Sequence, residues 1–239
     1  MRKLNLSITP EMEATCHGAN YVISEDGGKT WSDPMLIEVF TPHGMIVSPD
    51  GKLVYIGYSH YSTESGEFTQ MSMITSEDGI NWSEPVILAD AEKKTSMDLA
   101  EPSSVYTLDG TLIVQFRTGK GIYQCESKDG VNFTELRFIC DNGDSPSGLL
   151  CMKNGTLIMT YGYRKSPYNV RARVSYDNGK TWSGELLLTS GGVNWDFGYT
   201  DSVELEDGRV LTVYYQKELS TDRHPAIMQI IWELPEKNN

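Results

Sequence analysis

Residues 24–34, SEDGGKTWSDP, and residues 175–185, SYDNGKTWSGE, are two copies of one polar, glycine-rich box. The GKT inside each is not a phosphate cradle. A P-loop needs a further glycine five positions before the GK glycine, so that successive backbone N–H groups can wrap a phosphate, and Ile23 and Val174 stand there. The residues that do recur are Ser, Asp, Gly and an aromatic, and they recur twice more, as SEDGINW at 76–82 and SKDGVNF at 127–133. From serine to serine the spacings are 52, 51 and 48 residues.

A period near fifty residues suits a four-stranded β repeat better than a helical solenoid. The flanks agree. Short β-prone runs precede each box (NYVIS, MSMITS, IYQCES, VRARVS) and others follow it (MLIEVF, PVILAD, LRFIC, ELLLTS). Between boxes lies a second signal, an Asx-Gly turn between strands, in SPDGKLVYIGY, TLDGTLIVQFR, MKNGTLIMTYGYR and LEDGRVLTVYY. Each repeat therefore reads as an inner strand, an Asx-Gly turn, a second strand, a loop, a third strand, the box and an outer strand, with no helix. The fold class expected is all-β, a propeller of four-stranded antiparallel blades.

With 239 residues, 39% of them apolar, the chain can bury a sizeable core, and no linker or charge run divides it, so residues 1–239 are expected to form one domain. There is no run of 18 apolar residues, and MRKLNLSITPEMEA lacks a hydrophobic leader core. The expectation is a cytoplasmic chain without membrane contact. Cys16, Cys125, Cys140 and Cys151 have neither CxxC spacing nor a His at ligand spacing, so they are expected to be buried free thiols, with no metal and no cofactor. A net charge of -13 repels nucleic acid and anionic membranes. An anionic ligand would have to be caught by a local basic cluster.

On these boxes the chain resembles the Asp-box propellers of the sialidase (neuraminidase) superfamily over nearly its whole length. The resemblance implies that the boxes are structural, with Asp and Ser bonding backbone N–H groups of their own turn. It also places the chemistry on the opposite rim. About five blades are visible, namely strands three and four of a first, three whole blades, and strands one to three of a last; the superfamily carries about six. KLNLSI is a candidate closing strand.

The same resemblance supplies candidate residues. EPSSVYTLDGTLIVQFR looks like the segment in which a Glu opens an inner strand and an Arg of the carboxylate-binding triad ends the next, matching Glu101 and Arg117. GYTDSVELEDGRVLTVYY looks like the segment carrying the tyrosine nucleophile, matching Tyr199. A phenol with pKa near 10 needs a base to take its proton as it attacks, and Glu101 fills that role. Being neutral, tyrosine also avoids the repulsion that a carboxylate nucleophile would meet beside the acid group of the sugar.

The departures are equally specific. The first-blade Arg and the early Asp general acid of the superfamily have no counterpart, and Tyr168 occupies the place of the third Arg, beside a matching Asn169. Arg164 or Arg171 can substitute for that Arg. His43, which opens an inner strand in TPHGMIV, and Asp144 and Asp196, in loops entering inner strands, are candidates for the missing acid or for substrate contacts. Tyr58, Tyr163, Trp195 and Tyr215 can stack on sugar faces. The expected partner is a carbohydrate, an acidic sugar or glycan, and the expected reaction is exo-glycosidic hydrolysis. A glycan-binding propeller or fragment without turnover, or an acidic-polysaccharide lyase using His43 and a Tyr, stands as the alternative.

Overall fold

The computed structural model describes residues 19–63, 66–88, 99–218 and 224–235, and every strand pairing among them is antiparallel. The first sheet pairs β1 (Ala19–Tyr21) with β2 (Met35–Ile37). In the second, β3 (Val39–Phe40) and β4 (Ile46–Val47) share the edge of β5 (Leu53–Thr63), followed by β6 (Gly66–Ser76) and β7 (Val86–Ile87). The third runs β8 (Ala100–Tyr106), β9 (Leu112–Thr118), β10 (Gly121–Ser127), β11 (Arg137–Cys140), and the fourth β12 (Ser147–Cys151), β13 (Leu157–Tyr163), β14 (Asn169–Ser175), β15 (Leu186–Leu187). The fifth contains β16 (Gly198–Glu204), β17 (Val210–Gln216) and β18 (Ala226–Trp232). This is the blade content expected from the boxes, without a helix among the described residues. KLNLSI and Cys16 lie outside the described residues.

Consecutive sheets stack face to face, and β8, β12 and β16 lie side by side as inner strands. The cores lie between blades. Val54, Ile56, Met71 and Met73 of the second sheet meet Leu112, Val114 and Phe116 of β9. The alternate residue Ile113 turns to Leu149, Leu157, Met159 and Tyr161 of the fourth sheet. A strand buried on both faces carries apolar residues at successive positions, which is why β9 and β13 open with the runs Leu112–Val114 and Leu157–Met159 rather than alternating, and the polar Gln115 and Thr160 buried beyond those runs are hydrogen-bonded. Met152, Ile158 and Val210, with Val170, Phe197 and Tyr214, join the fourth sheet to the fifth.

Two turns per blade set the repeat. At the Asx-Gly turns, Gly51, Gly110, Gly155 and Gly208 all have φ between 81° and 90°, which a glycine adopts without strain. In the boxes the serine hydroxyl accepts from the glycine N–H, at 2.8 Å for Ser76 and 2.9 Å for Ser127, while Asp78 and Asp129 accept from the next two N–H groups at 2.7–2.9 Å. These bonds hold Asp78 and Asp129 below the ordinary range, and in the first box the hydroxyl and then the N–H of Thr30 hold Asp26 at a pKa of about 2.

The box aromatic does more than fill its own blade. Trp82 donates to Tyr21 of the first sheet at 3.2 Å, Phe133 packs in the core shared with the second, and Trp182 donates to Gln124 of the third at 3.0 Å. Each box thus grips the blade before it. The first box aromatic, Trp31, is 59% exposed among the described residues.

The details depart from the sequence reading in three places. MLIEVF is not one strand: it ends the first sheet as β2 and opens the second as β3. His43 does not open an inner strand but sits in the gap between β3 and β4, where the Pro42–Gly44 stretch leaves the ladder. Cys125 and Cys140 are buried free thiols as expected, whereas Cys151 is only half-buried, at the end of its strand.

Candidate active site

Boxes and Asx-Gly turns share one rim, and the candidate residues gather at the other. Glu101 and Tyr199 stand near the starts of the inner strands β8 and β16, and each sits in a register shift of its ladder, between Ala100 and Ser103 and between Gly198 and Asp201. Both have φ of 47°. A bulge with a left-handed residue re-aims a side chain that a regular strand would point along its face. For a non-glycine residue that conformation costs about 1 kcal/mol or more. Asp144, with φ of 65°, is a third such residue in the same cluster; among the described non-glycine residues only Asn178 shares the conformation elsewhere. Backbone strain therefore concentrates where the side chains converge.

The convergence is a chain of short bonds. Tyr199 Oη donates to Glu101 Oε1 at 2.5 Å, and Arg117 Nε donates to Glu101 Oε2 at 2.7 Å. Arg117 Nη1 reaches Asp144 Oδ1 at 2.6 Å. Arg164 donates to the carbonyls of Phe197 (2.9 Å) and Asp144 (3.2 Å) and to Tyr215 Oη (3.2 Å), and its guanidinium lies 5.5 Å from the Tyr199 ring centroid. Tyr215 donates in turn to Asp196 (3.2 Å), which also pairs with Lys217 (2.9 Å). The imidazole of His43 stacks on the same tyrosine, 5.9 Å between centroids and 10° between planes.

The fields at this site oppose one another. Burial, then the hydrogen bond and charge of Glu101, push the Tyr199 phenol up to about 12, while Arg164 and Arg117 pull it down. The phenol therefore keeps its proton at neutral pH, with the carboxylate in place to receive it. Burial works against the charge of Arg117, but its bonds to Glu101 and Asp144 outweigh that and hold it firmly protonated. Burial lowers His43 against the pull of Glu101 and Asp201. The hydrogen bond from Lys217 holds Asp196 below the usual carboxylate range. Among the described residues no three His, Cys, Asp or Glu side chains gather at one point that a metal would need.

Of the residues singled out from sequence, Glu101, Tyr199, Arg117, Arg164, Asp144, Asp196 and His43 are brought together at this rim. Arg171 is not. Its guanidinium lies 3.5 Å from the Tyr163 ring centroid and binds Asn169 (2.7 Å) and Glu185 (2.5 Å), because β14 alternation puts it on the face shared with Arg173 and Tyr161. Tyr163 is thereby tied to Arg171, and Tyr58 donates to the carbonyl of Leu99. Tyr168 packs edge to face on Phe197. Lys217 escaped the sequence reading. Lys217 carries a signal in its position at the end of a second strand, the place Arg117 and Arg164 hold in earlier blades.

The fold has solved counterparts. A protein of unknown function from Dyadobacter fermentans superposes over 91% of this chain and 64% of its own, at 24% identity and TM-score 0.75. A Hadza microbial sialidase does so over 89% and 43%, at 19% identity and TM-score 0.62. The intramolecular trans-sialidase from Ruminococcus gnavus, in complex with oseltamivir carboxylate, does so over 90% and 50%, at 18% identity and TM-score 0.61. The chain thus spans less than two thirds of each counterpart's length. At these identities the likeness is one of fold, a sialidase-type β-propeller. A comparison with curated protein sequences finds no match. The family model described as a BNR repeat-like domain matches residues 5–212, and with that span the chain belongs to the BNR repeat-like family.

Proposed function

We propose that this chain is a sialidase-like exo-glycosidase that hydrolyses a terminal acidic sugar through Tyr199 and Glu101. The observation that supports this reading is the 2.5 Å bond from Tyr199 Oη to Glu101, set beside the guanidinium groups of Arg117 and Arg164. In the first step the tyrosine oxygen attacks the anomeric carbon, its proton passes to Glu101, and the glycosidic C–O bond breaks. In the second, water attacks the same carbon and releases a proton to solvent, the bond to tyrosine breaks, and Glu101 returns its proton to the phenol oxygen. Arg117 and Arg164 offer N–H groups to the sugar carboxylate, which in binding exchanges with or extends their bonds to Asp144.

The proton for the leaving oxygen is the weak point of this machinery. Asp144 gives its carboxylate to Arg117, Asp196 is held ionised by Lys217, and His43 is held neutral by burial. With these three candidates engaged, solvent is the proton source proposed for the leaving group, and aglycones that leave as stabilised anions, such as phenols, are expected to be turned over best.

The test is hydrolysis of a fluorogenic aryl sialoside by the wild type, Tyr199→Phe and Glu101→Ala. Turnover by the wild type with at least a hundredfold loss in both variants, about 2.7 kcal/mol of transition-state stabilisation, supports the reading. A folded but inert wild type overturns it and leaves a glycan-binding propeller, a role that the engagement of Arg117 by its own carboxylate neighbours also fits.

A further inference from the structure

Lys217, Asp196 and Tyr215 have no part in the two steps proposed above, yet they form an unbroken line of bonds that ends on Arg164. Lys217 Nζ pairs with Asp196 Oδ2 at 2.9 Å, Tyr215 Oη donates to Asp196 Oδ1 at 3.2 Å, and Arg164 Nη2 donates to Tyr215 Oη at 3.2 Å. Arg164 stands just past β13, Asp196 in the loop before β16, and Tyr215 and Lys217 at the end of β17. The line therefore crosses from the fifth sheet to the fourth where their backbones come close: a Cβ added to Gly162 would lie 2.9 Å from the Cα of Gly198. The Lys217 side chain is 17% exposed and that of Asp196 34%, so water screens the pair only in part.

Every bond in the line has a fixed direction. An ammonium and a guanidinium only donate, and an ionised carboxylate only accepts. Tyr215 has one proton, which goes to the carboxylate, and this turns the phenol lone pairs toward Arg164. The direction set at Lys217 is thus passed on bond by bond. The other donors of Arg164 bind the carbonyls of Phe197 (2.9 Å) and Asp144 (3.2 Å). Phe197 stands immediately before the register shift that aims Tyr199, and Asp144 is itself left-handed. Such conformations persist only where their surroundings over-determine them, and one guanidinium here holds the backbone at both. We propose that Lys217, Asp196 and Tyr215 are positioning residues, a directional brace that keeps Arg164 on Phe197 and Asp144 and so keeps the Tyr199 bulge in place. The effect of the brace on turnover rests on the reading of Tyr199 as nucleophile; its effect on Arg164 does not.

Asp196→Asn is the most demanding change. The amide turns its oxygen to the Lys217 ammonium, so its NH₂ faces Tyr215 and the phenol proton is left pointing at Arg164, donor against donor. Tyr215→Phe removes only an acceptor, Lys217→Met removes the cation, and Lys217→Arg keeps it. In a ¹H–¹⁵N spectrum of the arginine Nε–Hε groups, Arg164 is assigned by its loss in Arg164→Lys. Its Hε, bonded to the Phe197 carbonyl, is expected to exchange slowly with water in the wild type and in Lys217→Arg, and about tenfold faster or more in Asp196→Asn, Tyr215→Phe and Lys217→Met. The Arg171 Hε, bonded to Asn169 elsewhere in the fourth sheet, is expected to keep its rate in all of them. Unchanged exchange of Arg164 in Asp196→Asn and Lys217→Met overturns the brace, and so does an Arg171 rate that rises equally, which marks general loosening. With the aryl sialoside, kcat/KM of Asp196→Asn is expected to fall about tenfold or more, and turnover at the wild-type level overturns the link to Tyr199. An inert wild type whose Arg164 exchange responds as stated upholds the brace and retires only the hydrolase reading.

Discussion

Replacing Glu101 by Gln separates a chemical from a structural role for that residue. The carboxylate accepts from Tyr199 through one oxygen and from Arg117 through the other. An amide of the same shape has a single acceptor oxygen. If that oxygen stays with Arg117, the NH₂ group faces Tyr199 and turns the phenol into an acceptor, its proton directed at no base. A charge-assisted bond is worth about 1.5–3 kcal/mol in proteins. Arg117 is 25% exposed and retains Asp144, so the net cost to stability is discounted to about 1–2 kcal/mol. For a chain of this size that lowers Tm by about 2–8 °C. Removal of a general base costs about 10²–10⁴ in rate, or roughly 2.7–5.4 kcal/mol. The rate loss is the larger effect, so paired measurements of kcat/KM on an aryl sialoside and of Tm distinguish the two roles. Without the carboxylate the Tyr199 phenol falls from about 12, because Glu101 helps to raise it and the arginines remain. The residual activity of Glu101→Gln therefore rises with pH more steeply than that of the wild type. A variant within threefold of wild-type kcat/KM but with lowered Tm would refute the base assignment and leave Glu101 as an anchor for Arg117.

Arg171→Met is expected to keep kcat/KM within twofold while losing about 1 kcal/mol of stability, since Arg173 still holds Glu185; Arg164→Met, in the same assay, loses at least tenfold. An equal loss in both would undo the assignment of Arg164 alone to the cluster. A Cβ at Gly148 would lie 2.2 Å from the Thr200 carbonyl oxygen, and backbone cannot yield as a flexible side chain does. Gly148→Ala is expected to lower the urea midpoint by an amount equivalent to about 3 kcal/mol, and an unchanged midpoint would show that the inner strands are free to part. The box carboxylates are depressed in the folded state, so their contribution is fully present above the ordinary 3.8 and is lost as pH falls toward about 2. Urea midpoints at pH 5 and pH 3 check this, and Asp129→Asn should flatten the difference; the same slope in that variant would point to other groups.

The architecture was legible because its signals are local. A serine and an aspartate that bond the N–H groups of their own turn, and a glycine at positive φ, announce themselves within seven residues. Glu101 and Tyr199 were legible for a related reason: each stands a fixed distance before an Asx-Gly turn, so the repeat supplies a ruler. The ruler cannot tell which way a side chain points. Arg164 and Arg171 stood as equal candidates, and only the pleat of β14, which pairs Arg171 with Tyr161 on the face of Glu185, divides them. His43 was placed at the start of an inner strand by its distance from an Asx-Gly turn, but Pro42 cannot donate to a ladder and Gly44 weakens one, and the strand breaks there.

The grip of each box on the preceding blade has a consequence on the far side of the molecule. Glu101 and Arg117 belong to the third sheet, Asp144 and Arg164 flank strands of the fourth, and Tyr199 belongs to the fifth. The gap that a proton crosses is therefore set by the angles between three blades, and Trp182 on Gln124, with Asn178 on Asp109, clamps the fourth sheet to the third from the opposite rim. A hydrogen bond fails over a few tenths of an ångström, whereas an apolar interface tolerates the same opening with little loss. The turns that carry no chemistry act as the calibration screws of a site they never touch, and loosening one detunes the reaction before it unfolds the protein.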